Sequence, residues 1–142
     1  NIAKLSQTIE ASRATITLYF EYLRDARLVN LLKSDKKGYA NLAKPEKVYL
    51  HNTNLSHSIV PESINVGNMR ETFFFNQVGA LHKLTHTEKA DFLVDEKYIF
   101  EIGGKNKTDY QIKSAKNAFI AADDMEIGFG NKIPLWLFGF LY

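Results

Sequence analysis

"KADFLVDEKYIFEIGG", residues 89 to 104, decides how the second half of this chain folds. Two short apolar runs flank a polar centre, the pattern of a β-hairpin without the favoured Asn-Gly turn. With a loop of Asp95, Glu96 and Lys97, pairing is symmetric about Glu96. Val94 then faces Tyr98, Phe92 faces Phe100, and Asp91 faces Glu101. Directly opposed side chains have Cβ atoms about 4.5 to 5.5 Å apart, and like charges there destabilise unless something offsets them. A divalent cation offsets them: Mg2+ is held by one or two carboxylates plus substrate phosphate oxygens, as metal-assisted phosphodiester cleavage requires. A two-residue loop would instead slip the register by one and send the two acids to different faces.

Working outward, "MRETFFFNQVGALHKL", residues 69 to 84, reads as a largely buried helix, since three consecutive phenylalanines need cover on more than one side. Downstream, Thr108 is expected to cap a helix through about Ile120. Two final strands are expected on either side of the Gly128 to Asn131 turn. The order is helix, strand, strand, helix, strand, strand.

Upstream, Ile2, Leu5 and Ile9 repeat at helical spacing, and Ser12 can cap a second helix with Ile16, Tyr19, Phe20 and Leu23 on one face. "RDARLVNLL" and "KSDKKGYANLAKPEKVYL" then read as a strand, a basic turn and a return strand. Helix, turn, helix and hairpin is the layout of a winged helix. Its second helix would offer Arg13, Thr15, Thr17 and Arg24 to a DNA groove, with Lys33, Lys36 and Lys37 on the wing near phosphates. A helical module that binds protein has the same layout. Pro61, Gly67 and the Asn- and Ser-rich stretch from 51 to 68 mark a boundary, giving expected parts 1–60 and 61–142.

The formal charge of +2 hides an asymmetry: residues 1 to 60 hold nine Lys/Arg against five Asp/Glu, and residues 61 to 142 hold nine against eleven. A basic half suits nucleic acid, whose phosphates supply most of the sequence-independent affinity. The chain of 142 residues has no cysteine, which excludes disulfides, thiolate metal sites and cysteine nucleophiles. Its longest apolar run, "IPLWLFGFLY", is far short of the roughly 20 residues that span a bilayer. A cytoplasmic setting without membrane partners is the expectation. Opening at Asn1 inside a helical pattern is expected of a piece cut from a longer protein.

"FEIGGKNKT", residues 100 to 108, is not a phosphate-binding P-loop, because the residue five before Gly104 is Ile99 and Asn106 follows Lys105. Free amides near Thr108 with Lys105 and Lys107 could hold a phosphate, and Gln111 and Lys113 could touch a nucleic-acid backbone; a glycine turn with solvated lysines explains them equally. His82 and His86 stand four apart, as metal ligands on one helix face do, with no third ligand evident. Trp136 and its phenylalanine neighbours read as core or as a buried interface, with base stacking a distant third.

A helix acid followed by D…ExK on a hairpin and a further helix resembles the PD-(D/E)xK nuclease-like core. The whole chain resembles the C-terminal half of a family of bacterial and archaeal AAA+ ATPases, in which a winged helix and a nuclease-like domain of unknown function follow the ATPase. The stretches that carry this likeness are "KPEKVYLHNTNL", "VGNMRETFFFNQV", "ADFLV", "FEIGGKNKT" and "NKIPLWLFGFLY". The resemblance implies an α/β fold, winged-helix-like and then a restriction-endonuclease-like mixed sheet. It places Glu71 on the helix acid and Asp91 and Glu101 on the strand acids, with Asp91 and Glu101 as ligands for Mg2+ or Mn2+. The motif lysine departs: Gly103 stands two residues after Glu101, making ExK into ExG. Lys105 has the same strand parity and would reach back about 6 to 7 Å if the strand continued, which two glycines oppose. The implied role is an accessory region that binds nucleic acid or a partner, with a degenerate site. Active metal-dependent cleavage using Glu71, Asp91, Glu101 and Lys105, or an interaction or homo-oligomerisation module, are the alternatives. The ATPase part of the parent chain is an implied partner, and no ATP site falls within these residues.

Overall fold

The structure, a computed structural model, describes residues 2–34, 44–59 and 61–141, so Lys36 and Lys37, expected on a wing, lie outside the described residues. Helix α1 (Ile2–Thr8) leads into α2 (Arg13–Asp25). Ser12 caps α2 as its sequence suggests, its Oγ accepting the Thr15 N–H at 3.1 Å. The chain leaves α2 through Arg27 in the left-handed region (φ 56°) and extends into β1 (Val29–Leu32). Strand β1 pairs antiparallel with β2 (Lys47–Leu50), Val29 opposite Leu50. Helix α3 (Thr53–Ile59) follows, then α4 (Val66–Val78), whose cap Asn65 accepts the Asn68 N–H at 3.0 Å.

The remaining strands are β3 (Leu84–Thr85), β4 (Phe92–Val94), β5 (Tyr98–Gly104), β6 (Ala118–Asp123) and β7 (Lys132–Pro134). They form one five-stranded sheet in sequential order, antiparallel from β3 to β5 and parallel from β5 to β7. The molecule is mixed α/β.

Helix α4 lies on this sheet and plants Phe74 at its centre, fully buried. The Phe74 ring stacks on Phe92 at 5.3 Å, meets Phe100 at 5.0 Å, and takes the edge of Phe138 at 4.8 Å. Phe73 and Phe75 flank it, partly buried, so all three phenylalanines find cover. Leu32 and Tyr49 belong to the same buried cluster, so residues on either side of position 60 share one core. The His86 N–H also donates to the Lys33 carbonyl at 2.8 Å, fastening the first hairpin to the edge of the larger sheet.

Several expected elements differ. The helix expected through Leu84 ends at Val78, and Leu84 opens the edge strand β3 instead. No helix starts at Thr108: residues 105 to 117 run as successive turns, with the Ile112 N–H on the Asp109 carbonyl and the Ala115 N–H on the Ile112 carbonyl, each at 2.9 Å. Residues expected in that helix enter the sheet as β6, where Ile120, Ala121 and Ala122 are all fully buried. A strand covered on both faces is continuously apolar, and periodicity cannot separate such a run from buried helix. The parallel β5–β6 pair also needs a crossover of about a dozen residues, which 105 to 117 supplies. Strand β5 runs through both glycines, Gly103 opposite Ala122 and Gly104 opposite Asp123. Residues 126 and 127 form bends rather than a strand, and the tail beyond β7 is a 3-10 helix, Leu135–Phe140. Leu135 and Phe138 turn inward, whereas Trp136 and Phe140 are exposed.

Candidate functional site

The β4–β5 turn fixes the geometry. Asp95 and Glu96 both adopt left-handed backbone (φ 52° and 57°), a region Asp enters more readily than most residues. Tertiary contacts hold Asp95 there, its carboxylate accepting the Lys83 N–H at 2.9 Å and contacting His82 Nδ1 at 2.7 Å. The resulting register is Val94–Tyr98, Leu93–Ile99 and Phe92–Phe100, the pairing symmetric about Glu96. One residue further, Asp91 Oδ2 accepts the Ile102 N–H at 2.9 Å, so the carboxylate is anchored on β5 beside Glu101.

Glu101 is 4 % exposed. Burial pushes its carboxyl above the ordinary value, the hydrogen bond from Lys107 pulls it down, and the Asp91 charge pushes it up again, for a net rise. Helix α4 brings Glu71 to the same place. Its Oε2 accepts the Tyr49 hydroxyl at 2.6 Å and the Lys47 ammonium at 3.1 Å. Lys47 Nζ also donates to Asp91 Oδ1 at 3.1 Å, bridging the two acids. Burial lowers the Lys47 pKa, but Asp91 and Glu71 outweigh it and the net direction is up. Burial and the Glu71 contact hold the Tyr49 hydroxyl protonated far above the usual phenol range.

Sequence reasoning assigned no role to Lys47 or Tyr49. They stand two apart on β2, hence on one face, and that alternation was the available signal. Their partners lie 22 to 44 positions away, beyond any local pattern.

The structure joins Glu71 and Asp91 through Lys47 and sets Glu101 near Asp91; Lys105 takes no part, its side chain being exposed and its carbonyl accepting Lys132 Nζ at 3.0 Å. Lys107 joins Lys47 at the site, its Nζ 2.6 Å from Glu101 Oε1. A tight turn, Lys107 N–H to Gly104 carbonyl at 2.9 Å, folds it back over β5. The Lys107 stem crosses Gly103 so closely that a Cβ there would lie 2.8 Å from Lys107 Cβ and Cγ. The glycine of ExG is the passage through which a later lysine reaches the second strand acid.

On α2, Arg13 is exposed. The Thr15 hydroxyl lies 2.8 Å from Ser12 Oγ, and the Thr17 hydroxyl donates to the Arg13 carbonyl at 2.9 Å. Arg24 pairs with Glu21 and with Asp25 at 2.8 Å, and Lys33 with Glu21 at 2.9 Å. Lys113 is exposed on the crossover. His82 and His86 share no helix face, because α4 ends at Val78. Among the described residues no three His, Asp or Glu side chains gather as ligands for a metal ion. No helix among them is long and apolar enough to cross a membrane. The chain matches no protein-family model, no curated protein and no solved structure.

Proposed function

We propose that this chain is a nucleic-acid-binding accessory region with a nuclease-like acid cluster in which Lys47 takes the position of a divalent cation. The supporting observation is the Lys47 ammonium, 3.1 Å from both Glu71 and Asp91. Three carboxylates suit Mg2+ or Mn2+ by donor type. Lys47 and Lys107 already offset most of their charge, however, and a dication at Asp91 would have to expel Lys47. As arranged, the residues do not fit such an ion, and no cleavage step is assigned to them. In this reading the chain works beside the ATPase part of a longer protein, and nucleic acid meets Arg13 on α2 and the lysines following β5. Fluorescence anisotropy with labelled DNA at increasing salt tests it: affinity should fall linearly on log axes, and no binding at low salt would overturn it.

Metal-dependent phosphodiester cleavage is a second reading, favoured by the Lys107–Glu101 contact, which supplies an ammonium group beside the acid cluster. It requires Lys47 to withdraw. Mg2+- or Mn2+-dependent cleavage abolished by Asp91→Ala would support it, and cleavage surviving that change would refute it.

A further inference from the structure

A cleft of about 380 Å³ opens between the crossover after β5 and the loop before β7. Its walls include Asn106, Lys107 and Asp109 on one side and Phe129, Asn131 and Lys132 on the other. Lys107 belongs both to this cleft and to the acid cluster, so the two adjoin.

Two features of the cleft are unusual for a plain surface dip. Phe129 is 67 % exposed on its wall, with Lys132 Nζ 5.7 Å from the ring centroid, and Tyr110, next to Asp109, is 86 % exposed. Scattered exposed apolar residues are normal, but here aromatic rings accompany a concentration of positive charge. Residues 105 to 116 carry four lysines, at 105, 107, 113 and 116, against the single acid Asp109. Asp124 and Glu126 lie exposed in the opposite loop and temper the field. Rings on which bases stack, set among lysines that track phosphates, are the recognition chemistry of single-stranded nucleic acid. A paired duplex keeps its bases inside the stack, where a ring in a cleft wall cannot reach their faces.

We infer that this cleft seats an unpaired nucleotide segment, one base on Phe129 and the adjoining phosphates on Lys132 and Lys107, the two cations that line it. The inference rests on the nucleic-acid reading above and adds to it the strandedness of the ligand and the place where it enters.

The test is anisotropy of a fluorescein-labelled DNA about 12 nucleotides long, single-stranded and as a duplex, against the chain and its Phe129→Ala and Lys132→Ala variants. The single strand should bind at least about tenfold more tightly than the duplex. Phe129→Ala should weaken single-strand binding by about 5- to 150-fold with little effect on the duplex, the range of one lost stacking contact. Lys132→Ala should weaken binding and reduce the salt slope by about one. Phe129 is exposed, so its loss should leave the fold intact. Equal binding of both forms, unaffected by Phe129→Ala, would overturn the inference while leaving nucleic-acid binding in place. No binding of either form at low salt would overturn both.

Discussion

Lys47 Nζ lies 3.1 Å from Asp91 Oδ1, joining a strand of the first hairpin to the strand end that carries the candidate site. Among the described residues, the Ile102 amide is the other hydrogen-bond donor to the Asp91 carboxylate. Lys47→Met keeps the apolar stem and removes the ammonium. The expected loss is about 1 to 2 kcal/mol in urea denaturation, less than for a fully buried pair because the Lys47 side chain is more than one-third exposed. An unchanged midpoint would show that the acids need no cation at this position.

Tyr49→Phe removes one hydroxyl, donated at 2.6 Å to a carboxylate, at nearly constant volume. A hydrogen bond to a charged group contributes about 1.5 to 3 kcal/mol, and a loss in that range is expected at neutral pH. The pH dependence has a definite sign. In the folded chain Tyr49 keeps its proton above the ordinary phenol value of 10.0, so the unfolded chain releases that proton first and stability falls as pH rises past 10. Lys47, raised above 10.5, contributes stability that is complete below that value and is lost as pH climbs through its folded pKa. Urea midpoints between about pH 8 and pH 11 should therefore decline in the wild type and decline less in Tyr49→Phe. Parallel curves would contradict the role of the phenol.

Glu101 acts near the acid end of the range with the same sign. Its carboxyl is raised above 4.5, so in the window just above that value the folded chain holds a proton the unfolded chain has released, and stability falls as pH rises. Asp123 behaves in reverse: the Arg70 contact at 2.9 Å lowers its pKa, giving stability that is present above 3.8 and lost as pH falls. Glu101→Gln should abolish the decline above pH 4.5 and leave the acid loss below 3.8 unchanged, as measured by urea midpoints. A decline that persists in the variant would assign it elsewhere.

Gly103→Ala places a methyl group where the Lys107 stem now runs. Displacing that stem should cost about 1 to 3 kcal/mol, as overpacking does, and should raise the Glu101 carboxyl further by removing its nearest cation. Carbon-detected NMR titration of the glutamate carboxyls reads the second effect directly. A Glu101 titration identical in both proteins would mean that Lys107 does not tune it.

The hairpin and its register, Val94 with Tyr98 and Phe92 with Phe100, were legible because a turn-centred strand pair leaves few registers, and Asp95 locks one of them. The cap at Ser12 and the buried helix carrying Phe74 were legible for the same local reason. The crossover was not: "TDYQIKSAKNAFI" has polar spacing that suits a helix, and only the need of β6 for two buried faces makes its last residues strand. Lys47 and Tyr49 were illegible because their roles depend on tertiary contacts across the shared core. Lys107 reads in the sequence as a phosphate contact and not as the partner of Glu101, because strand parity points to Lys105 and the chain turns back after Gly104.

The most direct measurement is a calorimetric titration of Mn2+ into the wild-type chain, Lys47→Met, and Lys47→Met combined with Asp91→Ala. If Lys47 stands in the cation's position, the wild type gives no saturable heat, Lys47→Met binds one ion per chain, and the double variant loses that binding. Saturable binding by the wild type, abolished by Asp91→Ala alone, would show that the acid cluster takes its metal with Lys47 in place and would contradict the assignment.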